Sequence, residues 1–293
     1  MAKPRELRRR IKSVENTRQI TKTMEMVATS KLKRAQDRVI AARPYAAALA
    51  EIISDLHDPA LVEQFPLLRR PKGGARRAAV VGITSNRGLC GAFNNNLIKE
   101  ARARIKALEQ EGAEVELHMI GRKGVGFFKY LGRPMAAEYR DITDRPTMDD
   151  ATRVIDPLME RFAAGDLDVV EVVFAKFVSA MSTPATGFRV LPVDVERVER
   201  PEDSGAAANY ILRPSAREIV GAVLPLYVRN AMYRALVETA ASEQGARRTA
   251  MKNATDNAGD MIDNLRRSYN RARQGQITQE ISEIVGGASA LQG

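Results

Sequence analysis

The sequence is poor in the residues that build catalytic and metal sites. It contains one cysteine and two histidines among 293 residues. A single cysteine excludes an internal disulfide and a cysteine-rich zinc site, and the isolated His57 and His118 make neither a metal site nor a proton relay. No stretch approaches the roughly 18 consecutive apolar residues that a membrane-spanning helix needs. We therefore expect no metal and no cofactor.

Aromatic residues are scarce as well. They make up 5% of the chain and tryptophan is absent, which favours helical rods over a large mixed core. The N-terminus is charged and lacks the apolar core of a signal peptide, so we expect a cytoplasmic protein. What the chain has in excess is positive charge. Its formal net charge of +10 favours acidic partners, among which nucleic acid, anionic lipid and an acidic protein surface all fit.

The C-terminal quarter has the pattern of one very long helix. Apolar residues recur there at three- and four-residue steps, and Pro225 and Gly245 are the main interruptions. Such length is typical of a coiled coil, a membrane span or a repeat, but the charged residues exclude the span and no repeat is present. We expect Gly286 and Gly287 to end or loosen the helix. The predicted stripe comprises Met251, Ala254, Ala258, Met261, Leu265, Ile277, Ile281, Ile284, Ala288 and Leu291.

The N-terminal segment, from about residue 3 to residue 56, supplies a partner for that stripe. A strict four-three step finds apolar residues everywhere except at the adjacent positions Arg18, Thr21 and Glu25. This pattern predicts a coiled-coil helix about 80 Å long, at ~1.5 Å per residue. Pro44 should bend it or weaken its hydrogen bonding. The apolar positions are Leu7, Ile11, Val14, Ala28, Leu32, Ala35, Val39, Ala42, Ala46, Leu49, Ile53 and Leu56.

The interruption of this heptad pattern has two interpretations. Between Arg18 and Glu25 the apolar residues are Ile20, Met24 and Val27, which lie one position away from the predicted seam. One interpretation is a local stutter of the supercoil. The other is that this turn of the helix faces something outside the helix pair.

The middle of the chain alternates short apolar runs with helical patterns. The runs at 77–84, 115–120, 167–178 and 187–195 predict strands, and 92–110, 123–131 and 147–164 predict helices, the last capped by Thr147 or Asp149. Such alternation is typical of an α/β layer with a mostly parallel sheet. The predicted division is an N-terminal coiled-coil helix at 1–57, a linker at 58–76, an α/β domain at 77–196, a linker at 197–214 and a C-terminal coiled-coil helix at 215–293.

The turn between the first predicted strand and the helix after it contains Gly88, Leu89, Cys90 and Gly91. Phosphates often bind at such turns, but the sequence is neither G-x-G-x-x-G nor a P-loop, so a tight turn that uses glycine for backbone freedom is the alternative. Cys90 could be a nucleophile at a helix N-terminus or a small buried thiol. No pair of carboxylates stands out as general acid and base, so the chain has the character of a non-catalytic protein.

Two runs of the C-terminal helix are unusually polar for a coiled-coil rod. Solvent exposure is the simplest interpretation of both. Solvent-exposed positions rarely need so many uncharged amides and hydroxyls, however, so the runs also fit a contact surface that must bind its partner only weakly. They comprise Arg247, Lys252, Asn253, Thr255, Asp256 and Asn257, and further on Gln274, Gln276, Thr278, Gln279, Glu280, Ser282 and Glu283.

Four blocks of this sequence resemble the gamma subunit of the bacterial F-type ATP synthase, in the same order and along the full chain. They are Val14–Ala28, Arg87–Gly91, Ala250–Asn257 and Ile277–Ala288. The chloroplast-type insertion with its regulatory cysteine pair is absent, which favours a bacterial source and leaves thiol control in doubt.

The resemblance implies a fold of the class α/β plus coiled coil. In such a fold, long N- and C-terminal helices form an antiparallel coiled coil, with an inserted mostly parallel α/β domain. The resemblance also implies a non-catalytic rotor shaft inside a ring of three alpha and three beta subunits, with the α/β domain against the epsilon subunit and the membrane c-ring. The same resemblance implies contacts with beta subunits through Met24, Arg247, Gln274, Thr278 and Glu280.

Two other classes of function stay open from the residues alone. A coiled-coil adaptor or nucleic-acid-binding protein could use the basic segment 1–43, although that segment lacks aromatic residues that stack on bases. A phosphate-handling α/β enzyme could use the Gly88 turn. Nucleic-acid binding with a steep salt dependence would favour the adaptor, and nucleotide turnover by the isolated chain would favour the enzyme.

Overall fold

The computed structural model describes residues 4–55, 65–71, 74–194 and 216–292. These residues form two compact units. The first contains the described parts of 1–28 and 248–293, and the second those of 29–247. The second predicted linker and residues 58–64, 72 and 73 of the first, together with Leu56 and His57, lie outside the described residues.

Two long helices begin and end the described chain. Helix α1 spans Pro4–Asp55 and the last helix, α5, spans Ala216–Gln292. Both continue through internal prolines, Pro44 in α1 and Pro225 in α5. Of the two effects predicted for Gly286 and Gly287, ending the last helix is wrong, because α5 continues to Gln292.

In the first unit, the N-terminal part of α1 packs against the C-terminal part of α5. Glu15 lies 2.8 Å from Arg266, and the hydroxyls of Thr21 and Thr255 are 2.8 Å apart. The residue number on α5 falls as that on α1 rises, so the two helices are antiparallel. The seam buries Leu7, Ala28, Met251, Thr255, Ala258 and Ile262.

The second unit contains a five-stranded sheet with the order β3-β2-β1-β4-β5. Strands β1, β2, β3 and β4 run parallel, and β5 pairs antiparallel with β4. The mostly parallel sheet is therefore confirmed. The strands are β1 at Arg77–Ile83, β2 at Glu114–Ile120, β3 at Ala137–Tyr139, β4 at Val169–Ala175 and β5 at Ala185–Leu191.

Helices cover both faces of this sheet, which explains why β1 reads as an unbroken apolar run. One face packs on α2 (Phe93–Gln110) and α3 (Arg122–Tyr130). The other packs on α4 (Met148–Ala164) and on the part of α5 within this unit. The predicted cap of α4 is confirmed, because the Thr147 hydroxyl accepts a hydrogen bond from the backbone N–H of Asp150 and the Asp150 carboxylate accepts one from Thr147 N–H.

The parts of α1 and α5 within the second unit also meet each other. Ala35 and Val39 of α1 form a small apolar cluster with Val237 and Ala241 of α5. Lys31 and Gln244 both reach the Asp144 carboxylate, so the lower α1 number again lies near the higher α5 number, as in the predicted antiparallel pairing. Leu32, Ala46, Leu49 and Ile53 are likewise buried, so the heptad pattern of α1 located its buried side correctly.

The sequence prediction missed two short elements and misplaced some apolar residues. Strand β3 and a 3₁₀ turn at Pro66–Leu68 were not predicted, since each is only three residues long. Met261 was placed in the buried stripe of α5, but its side chain is exposed and Ile262 is buried instead. The stripe residues Ile277, Ile281 and Ile284 are exposed as well.

Candidate partner-contact site

The interruption of the α1 heptad leaves an apolar surface without a partner in its own unit. Ile20 is 60% exposed, Val27 is 51% exposed and Met24, between them on the helix, is half-buried. At the seam, Thr21 meets Thr255 in a polar pair instead of an apolar contact. The exposed side chains of Ile20 and Val27 have therefore turned away from α5, which fits both interpretations of the interrupted heptad.

The C-terminal part of α5 has no partner helix within the described residues. Every side chain from 273 to 287 is exposed, including the predicted contact residues Gln274, Thr278 and Glu280. We call this stretch the α5 tail. Its polar side chains bond along their own helix: the Gln276 amide donates to Glu280 at 2.9 Å, and the Ser282 hydroxyl donates to the Thr278 carbonyl at 2.9 Å.

Met24 and the α5 tail are not brought together. Thr21 lies opposite Thr255, and the 19 residues from Thr255 to Gln274 correspond to about 30 Å of helix at ~1.5 Å per residue. The predicted contact residues of this unit therefore form two separate surfaces along the paired helices. A partner that touches both must extend along the shaft, or several partners must share it.

Arg247 lies in the second unit, and its environment differs from that of the other predicted contact residues. Its side chain is buried, with 9% of the residue exposed. The guanidinium Nη2 lies 2.7 Å from the Glu243 carboxylate and donates to the carbonyl oxygens of Arg87 at 3.4 Å and Gly88 at 3.2 Å. The interpretation of Arg247 as part of a solvent-exposed polar run is therefore wrong.

Other charged groups surround the Glu243–Arg247 pair. Lys31 binds Asp144 at 2.7 Å, and the Gln244 amide lies 3.5 Å from the same carboxylate. Burial raises the pKa of Glu243 above its usual value, against the lowering effect of Arg247. Burial also acts to raise the pKa of Asp144, but the hydrogen bond and charge of Lys31 outweigh it, so the pKa of Asp144 is lowered.

The turn after β1 is a tightly bonded structure. The Asn94 side-chain oxygen accepts from the Ser85 backbone N–H at 3.0 Å, and its amide donates to the Cys90 sulfur at 3.2 Å. Cys90 is buried, and burial raises the pKa of its thiol. A buried thiol with a raised pKa is a poor nucleophile, so the prediction of a small buried cysteine is confirmed.

His118 is buried on β2, where its ring Nε2 lies 2.9 Å from Glu116, which also binds Arg161 at 2.6 Å. Within the described ranges, no three potential ligands among His, Cys, Asp and Glu come together at a metal site. The same part of the chain contains no helix long and apolar enough to cross a membrane.

Sequence reasoning missed the charged groups around Arg247. Glu243 pairs with Arg247 directly, and Lys31 and Asp144 form a separate ion pair whose charges act on Glu243. Lys31, Asp144 and Glu243 come from three separate parts of the chain and match no motif. The only signal was the unusual polarity of α5, which the prediction assigned to an external surface. The buried polar residues of α5 are Asn230, Glu238, Thr239, Ser242, Glu243, Gln244, Arg247 and Thr255.

Comparisons with known proteins agree along the whole chain. The family model described as ATP synthase matches residues 3–291. A protein named ATP synthase gamma chain from Gemmatimonas aurantiaca is 61% identical over 293 residues, which is all of both chains. A protein of the same name from Frankia casuarinae is 44% identical over 291 residues, covering 98% of this chain and 97% of the relative.

Solved structures share the fold. A chain of the Euglena gracilis mitochondrial ATP synthase, in a cryo-EM structure of OSCP/F1/c-ring, matches with a TM-score of 0.66 and 20% identity, covering 98% of this chain and 94% of its own. A chain of the central stalk/c-ring structure from Tetrahymena thermophila matches with a TM-score of 0.60 and 24% identity, covering 80% and 99%. The paired terminal helices and the inserted sheet agree with these structures. The family model and the 61% identity over the full length of a relative show that the chain belongs to the family of ATP synthase gamma chains.

Proposed function

We propose that this chain is the central rotor shaft of an F-type ATP synthase. It turns inside a ring of three alpha and three beta subunits and carries rotation from the membrane c-ring to the beta subunits. The observation that carries the proposal is the α5 tail, a helix exposed on all sides that bears Ile277, Ile281 and Ile284. In a chain of this family, such a helix fits a surrounding ring of partners.

The terminal helices and the middle domain have different roles in this proposal. The helices at 1–57 and 215–293 form the shaft, and the domain at 77–196 lies against the epsilon subunit and the c-ring. One copy serves each complex. The assembly is peripheral to the cytoplasmic face of the bacterial inner membrane, and the c-ring is its membrane anchor. The chain makes and breaks no bond itself, since ATP is synthesised or hydrolysed at the beta subunits.

The contacts with beta subunits are weak and replaceable. Met24 meets an acidic segment of a beta subunit, while Gln274, Thr278 and Glu280 meet the loops that grip the shaft. Exposed charge pairs contribute only ~0–1 kcal/mol each, and amides and hydroxyls of the tail already donate to carboxylates and main-chain carbonyls of the same helix. A rotor must leave each of three equivalent positions, so contacts of this size suit it. Arg247 belongs to this set by resemblance, but its burial makes a direct contact conditional on its release from Glu243.

Asymmetry supplies the mechanism. At the level where Thr21 meets Thr255, the shaft presents an apolar surface on α1, at Ile20, Met24 and Val27, and a polar one on α5, at Lys252, Asn253 and Asp256. Three identical beta subunits therefore meet different surfaces at any one angle, and their nucleotide affinities differ. Rotation changes which beta subunit meets which surface, so the three subunits pass through their nucleotide-affinity states in sequence. A contact can shift the equilibrium between two states only as far as it stabilises one more than the other.

Assembly from purified subunits tests the proposal. The full chain, mixed with alpha and beta subunits, should form a complex with one copy of the chain per three alpha and three beta subunits, measured by native mass spectrometry. The isolated chain should show no ATP turnover. A chain that stays free in this mixture, or hydrolyses ATP alone, contradicts the rotor proposal.

Replacing Met24 with lysine tests the contact on α1. In the complete ATP synthase, we expect Met24→Lys to impair the coupling of proton flow to ATP synthesis, because the added charge forms a trapping pair with the acidic beta segment. The measurement is proton pumping per ATP hydrolysed in membrane vesicles. Gln110→Lys, which adds the same charge at an exposed position of α2, serves as the control. Wild-type coupling in Met24→Lys refutes the assignment.

A further inference from the structure

Arg247 binds the turn after β1 from a buried position on α5. Its guanidinium nitrogen reaches two successive carbonyl oxygens of the turn, those of Arg87 and Gly88. The same Nη2 also donates to the Glu243 carboxylate, so its two N–H groups are shared among three acceptors. Glu243, one helical turn earlier, neutralises the charge at 2.7 Å. This pairing makes burial of the arginine tolerable, since an unpaired charge in such a place is strongly unfavourable.

The turn that Arg247 holds contains a strained residue. Leu89 has φ of +62°, in the left-handed region that side chains with a Cβ avoid. Its side chain is also 62% exposed. Neither property stabilises the fold. A glycine at this position would adopt the same conformation without strain, and it would expose no apolar side chain to water. Strain of this kind persists only where surrounding bonds impose it.

The bonds that impose this conformation converge on the carbonyl of Arg87. That oxygen accepts from the Ser85 hydroxyl at 2.6 Å and from Arg247. Ser85 and its neighbour Asn86 are fixed in turn, by Asn94 and by the carbonyl of Ile142. Arg247 is thus the side chain by which α5 reaches into a network that otherwise belongs to the sheet domain.

We propose that Arg247 is a positioning residue, which clamps the turn at 85–91 so that Leu89 and Arg87 are presented outward in one fixed conformation. In this inference its effect on coupling passes through its own chain, in place of the direct partner contact that the resemblance implies. The functional part of this inference rests on the proposed rotor role. The structural part, a turn kept closed by Arg247, holds for the chain alone.

Cys90 makes the clamp measurable. It is the only cysteine of the chain and is 2% exposed within the same turn. A thiol reagent can therefore label the full-length chain only when this turn opens. We expect Arg247→Gln to raise the labelling rate roughly ten- to hundredfold, the range that corresponds to losing hydrogen bonds from a charged donor. Arg248→Gln is the matched control, since it removes the same charge from an exposed neighbour and should leave the rate unchanged.

Two further variants separate the clamp from a general loss of folding. Glu243→Gln keeps the shape of the pair but removes its charge, and should raise the rate to a smaller extent. Leu89→Gly removes the strain, so Arg247→Gln introduced into that background should change the rate less than threefold. Circular dichroism monitors the helix content of each variant. The proposal is overturned if Arg247→Gln is labelled at the wild-type rate. It is also overturned if the increase in labelling rate of the double variant equals the product of the increases of the two single variants.

The functional arm uses the chain assembled with alpha and beta subunits. Arg247→Gln and Leu89→Gly should each reduce the torque of ATP-driven rotation, and the double variant should be no worse than the stronger single one. Additive losses indicate a direct partner contact of Arg247 and contradict the positioning role. Failure of the wild-type chain to assemble contradicts the rotor proposal instead, while faster labelling of Arg247→Gln in the free chain still supports the clamp.

Discussion

Two stretches of α5 are equally helical but have opposite environments. Between Asn230 and Arg247 most side chains are buried, and several polar ones among them bind other parts of the second unit. Thr239 accepts from the backbone N–H of Ala175 at 3.2 Å, and Ser242 donates to the carbonyl of the same residue at 3.1 Å. In the α5 tail every side chain is exposed. Polar runs on one helix therefore occur in two environments, one buried inside the second unit and one exposed, which the rotor proposal assigns to partners.

The largest difference between the two stretches should appear when apolar side chains are shortened. Met232 is completely buried, whereas Ile281 is 55% exposed. We expect Met232→Ala to lower the free energy of unfolding by about 2–5 kcal/mol, because it leaves a cavity. Ile281→Ala should change it by less than about 0.5 kcal/mol. Urea unfolding of the full chain measures both, and an equal loss in the two variants contradicts the comparison.

Hydroxyl groups sharpen the comparison at a smaller scale. Thr239→Val leaves the buried N–H of Ala175 without an acceptor and should cost about 1–3 kcal/mol. Ser282→Ala removes a bond to the Thr278 carbonyl, which water can replace because the site is exposed, so its expected cost is below about 0.5 kcal/mol. Thermal unfolding of the two variants against the wild type gives the ranking. A stable Thr239→Val chain argues against an internal role for this polar face.

The smallest effect concerns pH, and it has opposite signs at two carboxylates. The raised pKa of Glu243 adds stability below the unfolded pKa of a glutamate, about 4.3, and this contribution is lost as pH rises through the folded pKa. The lowered pKa of Asp144 adds stability above about 3.9, which is lost as pH falls through its folded pKa. The free energy of unfolding should be measured from about pH 3 to about pH 8, a range that includes the ordinary carboxylate pKa values near 4. Its dependence on pH should change in opposite directions in Glu243→Gln and Asp144→Asn. Parallel responses contradict the assigned directions.

Much of the fold could be predicted because it depends on regular spacing. The four-three step identified the buried side of α1 at Leu32 and Val39, and unbroken apolar runs identified β1 and β4. The strand β3 escaped prediction because three residues leave no period to detect. The apolar pattern also predicted a buried tail at Ile277, since spacing shows which side of a helix is apolar but not whether a partner lies there.

The candidate site was predictable only in part, for a related reason. Motif resemblance located Met24 and the tail residues Gln274, Thr278 and Glu280, whose exposure fits contact with partners. It also located Arg247, but the residues that bury this side chain are distant in sequence. The pairing with Glu243 is visible as a four-residue step on a helix, whereas the contact with the carbonyl of Gly88 spans 159 residues. Main-chain acceptors carry no sequence signal at all.

Hydrogen exchange along α5 tests the central claim most directly. The claim is that the tail at 273–287 is exposed in the free chain because its partners are other subunits. Backbone amides of the full chain should be compared free and assembled with alpha and beta subunits, using mass spectrometry of peptides from α5. We expect exchange at 273–287 to slow at least tenfold on assembly, while exchange at 230–247 stays as it was. Unchanged exchange in the tail of the assembled chain would contradict the account.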